Sequence, residues 1–147
     1  MKAITLWQPW ASLLAEGPKI YETRSWAVRY RGPVAIHAAR LPLKAALRET
    51  SPEKRAAIER ALFPKRLEEL PAGCILGTAV LSGCIPIDEA FLHTLPEGEW
   101  FLGDFTPGRF AWSFTDLQPL AVPIPARGWQ GLWNWTGPLP PDEKVNH

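Results

Sequence analysis

The segment Gly17–Trp26 concentrates charged groups that are able to bind a ligand or to catalyse a reaction. It reads Gly-Pro-Lys-Ile-Tyr-Glu-Thr-Arg-Ser-Trp. Side chains alternate along an extended chain, so Glu22 and Arg24 share a face with Trp26, and Lys19 enters at the turn just before it. Half-burying ionised groups costs several kcal/mol unless they are paired. The segment is therefore either a ligand-binding surface or a closed ion pair between Glu22 and Arg24.

These residue types suit a nucleotide. A guanidinium supplies a rigid fork of donors to a phosphate and an ammonium supplies a point charge, which are the roles expected of Arg24 and Lys19. Glu22 is able to accept a hydrogen bond from the exocyclic amine of a base, as carboxylates do with cytosine. Three tryptophans are candidates for stacking on that base: Trp7, Trp10 and Trp26. The pattern predicts a nucleic-acid-binding cleft.

Two further candidates follow in the stretch Val34–Arg40. His37 lies on the face opposite Val34 and Ile36, from which it would reach the cleft, although a histidine at a strand end is more often a hydrogen-bonded structural residue. Arg40 is favoured as a ligand-binding group. Near the carboxyl end, Gln130 is a candidate for a base-edge contact, and the neighbouring tryptophans are interpreted as core or lid residues: Trp129, Trp133 and Trp135.

The net charge of +1 hides a division along the chain. Residues 1–66 hold thirteen Lys and Arg against five Asp and Glu, whereas residues 67–147 hold three against ten. Basic residues between Lys19 and Arg48 alternate with aromatic ones, a mixture typical of phosphate contact combined with base stacking. A second basic cluster, Lys54 to Arg66, is interpreted as the solvated face of a helix.

Composition sets further limits. A chain of 147 residues predicts one domain. Two isolated cysteines and three scattered histidines predict no metal site, and no cofactor is expected. With no signal peptide or membrane span expected, the sequence predicts a soluble, cytoplasmic protein. Sixteen prolines suggest the stiff loops of a thermostable protein.

Periodicity places these residues on a mixed set of elements. Alternation and turn residues predict strands, and a period of about three and a half predicts helices. The expected strands are Lys2–Leu6, Ile20–Trp26, Val34–Ala38, Ile75–Ile85 and Arg109–Leu117; the expected helical segments are Pro9 to Gly17, parts of Leu43–Leu70 and a short helix or loop near Asp88. This set predicts an α+β fold built on a small, mostly antiparallel β-barrel.

Several ordered segments resemble the ASCH domain family, named for activating signal cointegrator homology. The signature is Gly-x-Lys-x-x-Glu-x-Arg at Gly17, Lys19, Glu22 and Arg24; the supporting segments are Leu6–Ser12, Arg31–Ala39 and Asp104–Trp112. The resemblance implies a PUA-like β-barrel with helices packed around a cleft, in one domain of residues 1–137 followed by a flexible tail at 138–147. It also implies RNA rather than DNA as the partner, while a protein partner stays unknown.

The same resemblance raises two catalytic alternatives, with Lys19 and Glu22 as the candidate catalytic residues. Some ASCH relatives are amidohydrolases that act on acylated cytidine and carry a threonine three residues after the lysine, where this chain has Glu22. Thr23 comes one residue later and is expected on the opposite face. Other ASCH proteins are ribonucleases that use lysine and tyrosine, and Tyr21 is also expected opposite Glu22.

Overall fold

The computed structural model describes residues 1–48 and 50–138, which form six strands and four helices. The strands are β1 (Lys2–Leu6), β2 (Tyr21–Arg24), β3 (Gly32–Ala38), β4 (Cys74–Pro86), β5 (Phe110–Pro125) and β6 (Leu132–Asn134). The helices are α1 (Trp10–Ala15), α2 (Leu43–Ala46), α3 (Pro52–Leu62) and α4 (Glu89–Thr94), with 3-10 turns at Leu67–Glu69 and Glu97–Phe101. The predicted strands and helical segments are all present, with some ends shifted.

All six strands belong to one sheet, in the order β2-β5-β4-β3-β1-β6. Only the pair of β1 and β3 is parallel among the described pairings. The long strands β4 and β5 pair with three shifts in register, which are the irregularities that bend and twist a sheet. The sheet curves into a half-barrel, which confirms the predicted α+β, mostly antiparallel, PUA-like architecture.

Helix α1 lies across the sheet and fills its main core. Its Leu14 packs with residues that alternate along the strands, such as Ile4 on β1 and Ile36 on β3. The helix ends where Gly17 takes a φ of 102°, a left-handed conformation that suits glycine. The backbone amide of Lys19 then donates to the carbonyl of Leu13 at 3.0 Å. This turn delivers Lys19 to the start of β2.

The region 43–70 is helical, as its period predicted. Ser51 caps α3 by accepting a hydrogen bond from the Lys54 amide at 3.1 Å, and Pro52 occupies the first turn. Ile58 and Leu62 of α3 pack with Leu13 of α1. The insert thus packs mainly on α1 and on the 97–101 turn, instead of directly on the sheet as expected.

Two expectations about the whole chain concern its ends and its surroundings. The single domain predicted for residues 1–137 remains a prediction, and the tail predicted at 138–147 lies outside the described residues apart from Pro138. Among the described residues, no helix has the length and apolar character needed to cross a bilayer.

The loop after β5 is held tightly against β1 and β3. His37 on β3 donates from Nε2 to the carbonyl of Ala126 at 2.7 Å, and its Nδ1 lies 3.2 Å from the hydroxyl of Thr5. A Cβ atom at Gly128 would meet His37 Nδ1 at 2.5 Å and Thr5 Oγ1 at 2.8 Å. Gly128 is therefore required for close approach, and it brings residues 126–131 beside the strands.

We expect Gly128→Ala to destabilise the protein by about 1–3 kcal/mol, because the added methyl group must push apart a packed and hydrogen-bonded pair. Urea unfolding followed by tryptophan fluorescence measures the change. Gly98→Ala is the matched control, since a Cβ there meets nothing within 4 Å. Equal unfolding midpoints for the two variants would contradict the close approach.

Candidate functional site

A large open cleft of about 1440 Å³ lies between α1, β2, the first turn of α3 and the loop after β5. Among the residues that the structure describes, six basic side chains line it against one acidic side chain, Glu22. The basic residues are Lys19, Arg24, Arg40, Lys54, Arg109 and Arg127. The lining also includes four tryptophans: Trp7, Trp10, Trp26 and Trp129.

The structure brings all eight candidate residues from the sequence to this cleft. They come from the turns after β1 and before β2, from α1, from β2 and the turn after it, and from β3 and the loop after it: Lys19, Glu22, Arg24, Trp7, Trp10, Trp26, His37 and Arg40. Gln130, the weaker candidate for a base-edge contact, also lines the cleft and is exposed. The burial and the hydrogen-bond partners of these residues differ, and they determine which residues are able to contact a ligand.

Lys19 lies at the bottom of the cleft with only 2% of its surface exposed. Its Nζ donates to the carbonyl of Leu102 and lies 3.7 Å from Oε1 of Glu22. Burial lowers the pKa of Lys19, and the negative charges of Glu22 and Glu99 partly offset this effect. The ammonium is thus held by the carbonyl of Leu102 and the carboxylate of Glu22, and the charge of Glu99 adds a longer-range attraction.

Glu99 is a functional-site neighbour that sequence analysis missed. It lies in the 97–101 turn, is 3% exposed, and accepts hydrogen bonds from the amides of Ile20 at 2.9 Å and Tyr21 at 3.4 Å. Burial raises the pKa of Glu99, although these amides and Lys19 favour its charged form. Glu99 therefore anchors the start of β2 from behind the cleft. Its Pro-Glu-Gly-Glu-Trp context suggests only an exposed turn, so no local signal marks it.

Glu22 and Arg24 share a face of β2, as the alternation predicted. Arg24 Nε donates to Oε2 of Glu22 at 3.0 Å, and its NH2 group donates to the carbonyl of Thr5 at 2.9 Å. The guanidinium lies 5.8 Å from the centre of the Trp112 ring. The two residues therefore form the ion pair of the structural alternative, but they form it at the surface of an open cleft.

His37 has both ring nitrogens engaged in the neutral state. A carbonyl oxygen only accepts, so Nε2 carries the proton donated to Ala126, and Nδ1 accepts from the Thr5 hydroxyl. That hydroxyl accepts in turn from the Trp133 indole at 2.9 Å. Burial lowers the pKa of His37, which keeps the ring neutral. The geometry favours the structural interpretation of His37 and gives it the role of holding the 126–131 loop.

The residues of the two catalytic alternatives, Tyr21 and Thr23, lie in different surroundings. Tyr21 points away from the cleft. The centre of its ring lies 5.2 Å from the ring centre of Phe91 and 6.4 Å from that of Phe105. Thr23 lines the cleft but is buried, and its hydroxyl accepts from the Asp104 amide at 3.2 Å. The placement of Tyr21 agrees with the strand alternation that set it opposite Glu22, whereas Thr23, which was expected on that opposite face too, lines the same cleft as Glu22.

Two residues have surroundings that differ from the sequence-based interpretation. The sequence places Trp129 among core or lid residues, and its 54% exposure at the cleft excludes the core. The Cζ atom of Arg127 lies 4.4 Å from the centre of its ring. Trp133 and Trp135 are buried. Lys54 was assigned to a solvated helix face, yet its Nζ lies 5.0 Å from the Trp10 ring centre. A helix that turns its first residues over α1 is a tertiary feature, so periodicity alone does not show it.

The raised pKa of Glu99 predicts a pH-dependent stability. Because the folded chain binds the Glu99 proton more tightly than the unfolded chain, this residue's contribution falls as pH rises from the ordinary glutamate value of 4.5 through the higher folded value. Glu99→Gln removes this loss. The free energy of unfolding of the variant minus that of the wild type should therefore rise across that pH window and stay constant above it. Urea titrations between acid and neutral pH measure the difference. A difference that does not change with pH would contradict the assignment.

Comparison with known proteins supports a single family. A family model described as the ASCH domain matches residues 4–121. The chain is 29% identical over 136 residues to activating signal cointegrator 1 of Homo sapiens and equally to that of Mus musculus. Each alignment covers 88% of this chain and 21% of the relative, so the chain spans about a fifth of the curated relatives' length.

A solved structure has the same fold. The crystal structure of ASCH from Zymomonas mobilis superposes with a TM-score of 0.53 at 19% identity, over 84% of this chain and 72% of that chain. The family match covers well over half of the 147 residues and includes β2 with its charged residues. The chain therefore belongs to the ASCH domain family.

Proposed function

We propose that this ASCH domain binds single-stranded RNA in the basic cleft. The observation that carries the proposal is the excess of six basic side chains over one carboxylate in a cleft that also exposes tryptophan rings. A basic groove attracts the phosphate backbone, and aromatic faces stack on unpaired bases.

The cations of the cleft divide into two groups by their partners. In the first group each cation has a carboxylate partner. Lys19 and Arg24 lie beside Glu22, and Arg109 Nε lies 3.5 Å from Oδ2 of Asp104. Arg40, Lys54 and Arg127 have no carboxylate within ion-pair distance among residues 1–48 and 50–138. Lys54 still interacts with the negative charge of Asp104, so Arg40 and Arg127 are the less compensated cations. An uncompensated cation gains most from an approaching anion, so these two arginines are the expected phosphate contacts.

Arg40 and Arg127 lie on two loops that are held side by side. The Arg40 side chain crosses Gly73 so closely that a Cβ there would meet Arg40 Nε at 2.6 Å. The amide of Ala126 donates to the carbonyl of the same Gly73 at 3.1 Å, which fixes the loop that carries Arg127. Two guanidinium groups on anchored loops suit a backbone that passes between them.

The tryptophans favour unpaired bases over a duplex. Trp7 is 55% exposed and Trp129 is exposed to a similar extent, so each offers a ring face without unfolding the core. Single-stranded bases stack on such faces, whereas the bases of an A-form duplex are stacked on each other, and side chains cannot read the deep, narrow major groove. The amidohydrolase and ribonuclease alternatives receive no comparable support, because Tyr21 packs on Phe91 and the buried Thr23 hydroxyl is hydrogen-bonded to the Asp104 amide.

The salt dependence of binding tests the proposal. We expect Arg40→Gln to weaken binding of a labelled single-stranded RNA and to reduce the slope of log affinity against log salt by about 0.7, the value for one phosphate contact on a single strand. Fluorescence anisotropy over a series of salt concentrations gives both quantities.

Arg55→Gln is the matched control for this test. Arg55 is exposed on α3, pairs with Glu59 at 3.1 Å and lies outside the cleft, so the substitution removes the same charge at another place. It should leave the slope unchanged. RNA binding that is absent even at low salt, or equal slopes for the two variants, would overturn the proposal.

A further inference from the structure

The three charged groups at the bottom of the cleft form an ordered row. Lys19 Nζ lies 3.7 Å from Oε1 of Glu22, and the other oxygen of Glu22, Oε2, accepts from Arg24 Nε at 3.0 Å. The carboxylate is therefore flanked by a cation on each side. The order of hydrogen-bonding groups along the row is therefore a donor at Lys19, an acceptor at Glu22 and a donor at Arg24.

Each member of the row keeps hydrogen-bonding capacity after its contacts within the protein. Of the three ammonium hydrogens of Lys19, the carbonyl of Leu102 takes one. Arg24 has five N–H donors. Its Nε donates to Glu22, and its Nη2 donates to the carbonyl of Thr5. Glu22 has about four lone-pair positions; within the described part of the chain its Oε2 accepts from Arg24, and its Oε1 lies 3.7 Å from the Lys19 ammonium.

A ligand that covers this row must offer hydrogen-bond partners to its donors and acceptors. A buried donor or acceptor left without a partner costs much more than a made hydrogen bond contributes, and a pair of like groups face to face is worse. The ligand that leaves none unpaired presents acceptor, donor, acceptor in that order. Among the pairing edges of the RNA bases, uracil has this pattern, in its O4, N3–H and O2 groups.

We propose that the row Lys19, Glu22 and Arg24 reads the pairing edge of uracil, with both carbonyl oxygens accepting from the two cations and N3–H donating to Glu22. This inference rests on the proposed function and names the base that the same cleft selects. It replaces the cytosine contact expected from Glu22 alone, because that expectation did not include a donor on each side of the carboxylate.

The other bases fit the row less well. Cytosine has an acceptor at N3, so its lone pair would face the lone pairs of Glu22 when the edge is centred on the row. Guanine turns a second donor, its amino group, toward a cation. Adenine offers one donor and one acceptor and leaves a cation unpaired. Each mismatch is a specific penalty, which is how a polar site discriminates between similar ligands.

A binding experiment with the full chain tests the base preference. Labelled oligonucleotides of uridine, cytidine, adenosine and N3-methyluridine, all of one length, are titrated by anisotropy at one salt concentration. N3-methyluridine keeps the ring, both carbonyl groups and the backbone but lacks the N3–H donor. We expect the uridine oligomer to bind at least about tenfold more tightly than the methylated and the cytidine oligomers, the range of one good base-edge contact.

The outcomes separate this inference from the proposed function. Equal affinity for uridine and N3-methyluridine, with salt-sensitive binding of both, would overturn the uracil assignment and leave RNA binding in place. No binding of any oligomer at low salt would overturn both. Thymine has the same edge, so an oligomer of thymidine is added. Binding equal to that of uridine supports recognition of the edge in either nucleic acid, and weaker binding supports RNA as the source.

A pair of variants assigns the central acceptor. Glu22→Ala should abolish the preference for uridine over N3-methyluridine, whereas Glu59→Ala, which removes a carboxylate outside the cleft, should keep it. Near-ultraviolet circular dichroism of the tryptophans checks that both variants fold. A preference that persists in folded Glu22→Ala would overturn the assignment, and the methylated oligomer tests the wild-type protein without any substitution.

Discussion

The cleft depends on one buried charge, the ammonium group of Lys19. Removing such a group from water is costly, and the cost is offset only when several partners surround it. Here those partners come from three places along the chain: Glu22 on β2, the carbonyl of Leu102 after the 97–101 turn, and the field of Glu99 within that turn. Because Glu99 also binds the first amides of β2, the same cluster fixes the edge strand on which Glu22 and Arg24 stand.

This arrangement divides the cleft into two chemically different regions. At its bottom, cations and a carboxylate are paired and partly buried, so they distinguish ligands by hydrogen-bond pattern more than by charge. At its mouth, Arg40 and Arg127 are exposed and without carboxylate partners among the described residues, so they favour any polyanion. The fold thus places the paired charged groups and the unpaired arginines next to each other in one cleft.

Much of this molecule could be predicted from local patterns. The alternation of Phe110, Trp112 and Phe114 marks a strand, the capping sequence at Ser51 marks the start of α3, and parity along β2 places Glu22 beside Arg24. Glu99, Lys54 and Trp129 could not be assigned in the same way, because their surroundings come from chain segments far away in sequence. Burial of Glu99 results from the docking of a turn, which no periodicity encodes.

The most direct test of the account is a nuclear magnetic resonance titration of the tryptophan indole N–H signals with single-stranded oligouridine. The eight tryptophans are spread over the molecule, so each reports on its own region. The account predicts that the signals of Trp7, Trp26 and Trp129 shift, while Trp100, which is comparably exposed but lies outside the cleft, stays in place. Shifts confined to Trp100, or no shifts at a concentration where binding is measured, would contradict the assignment of the cleft as the binding surface.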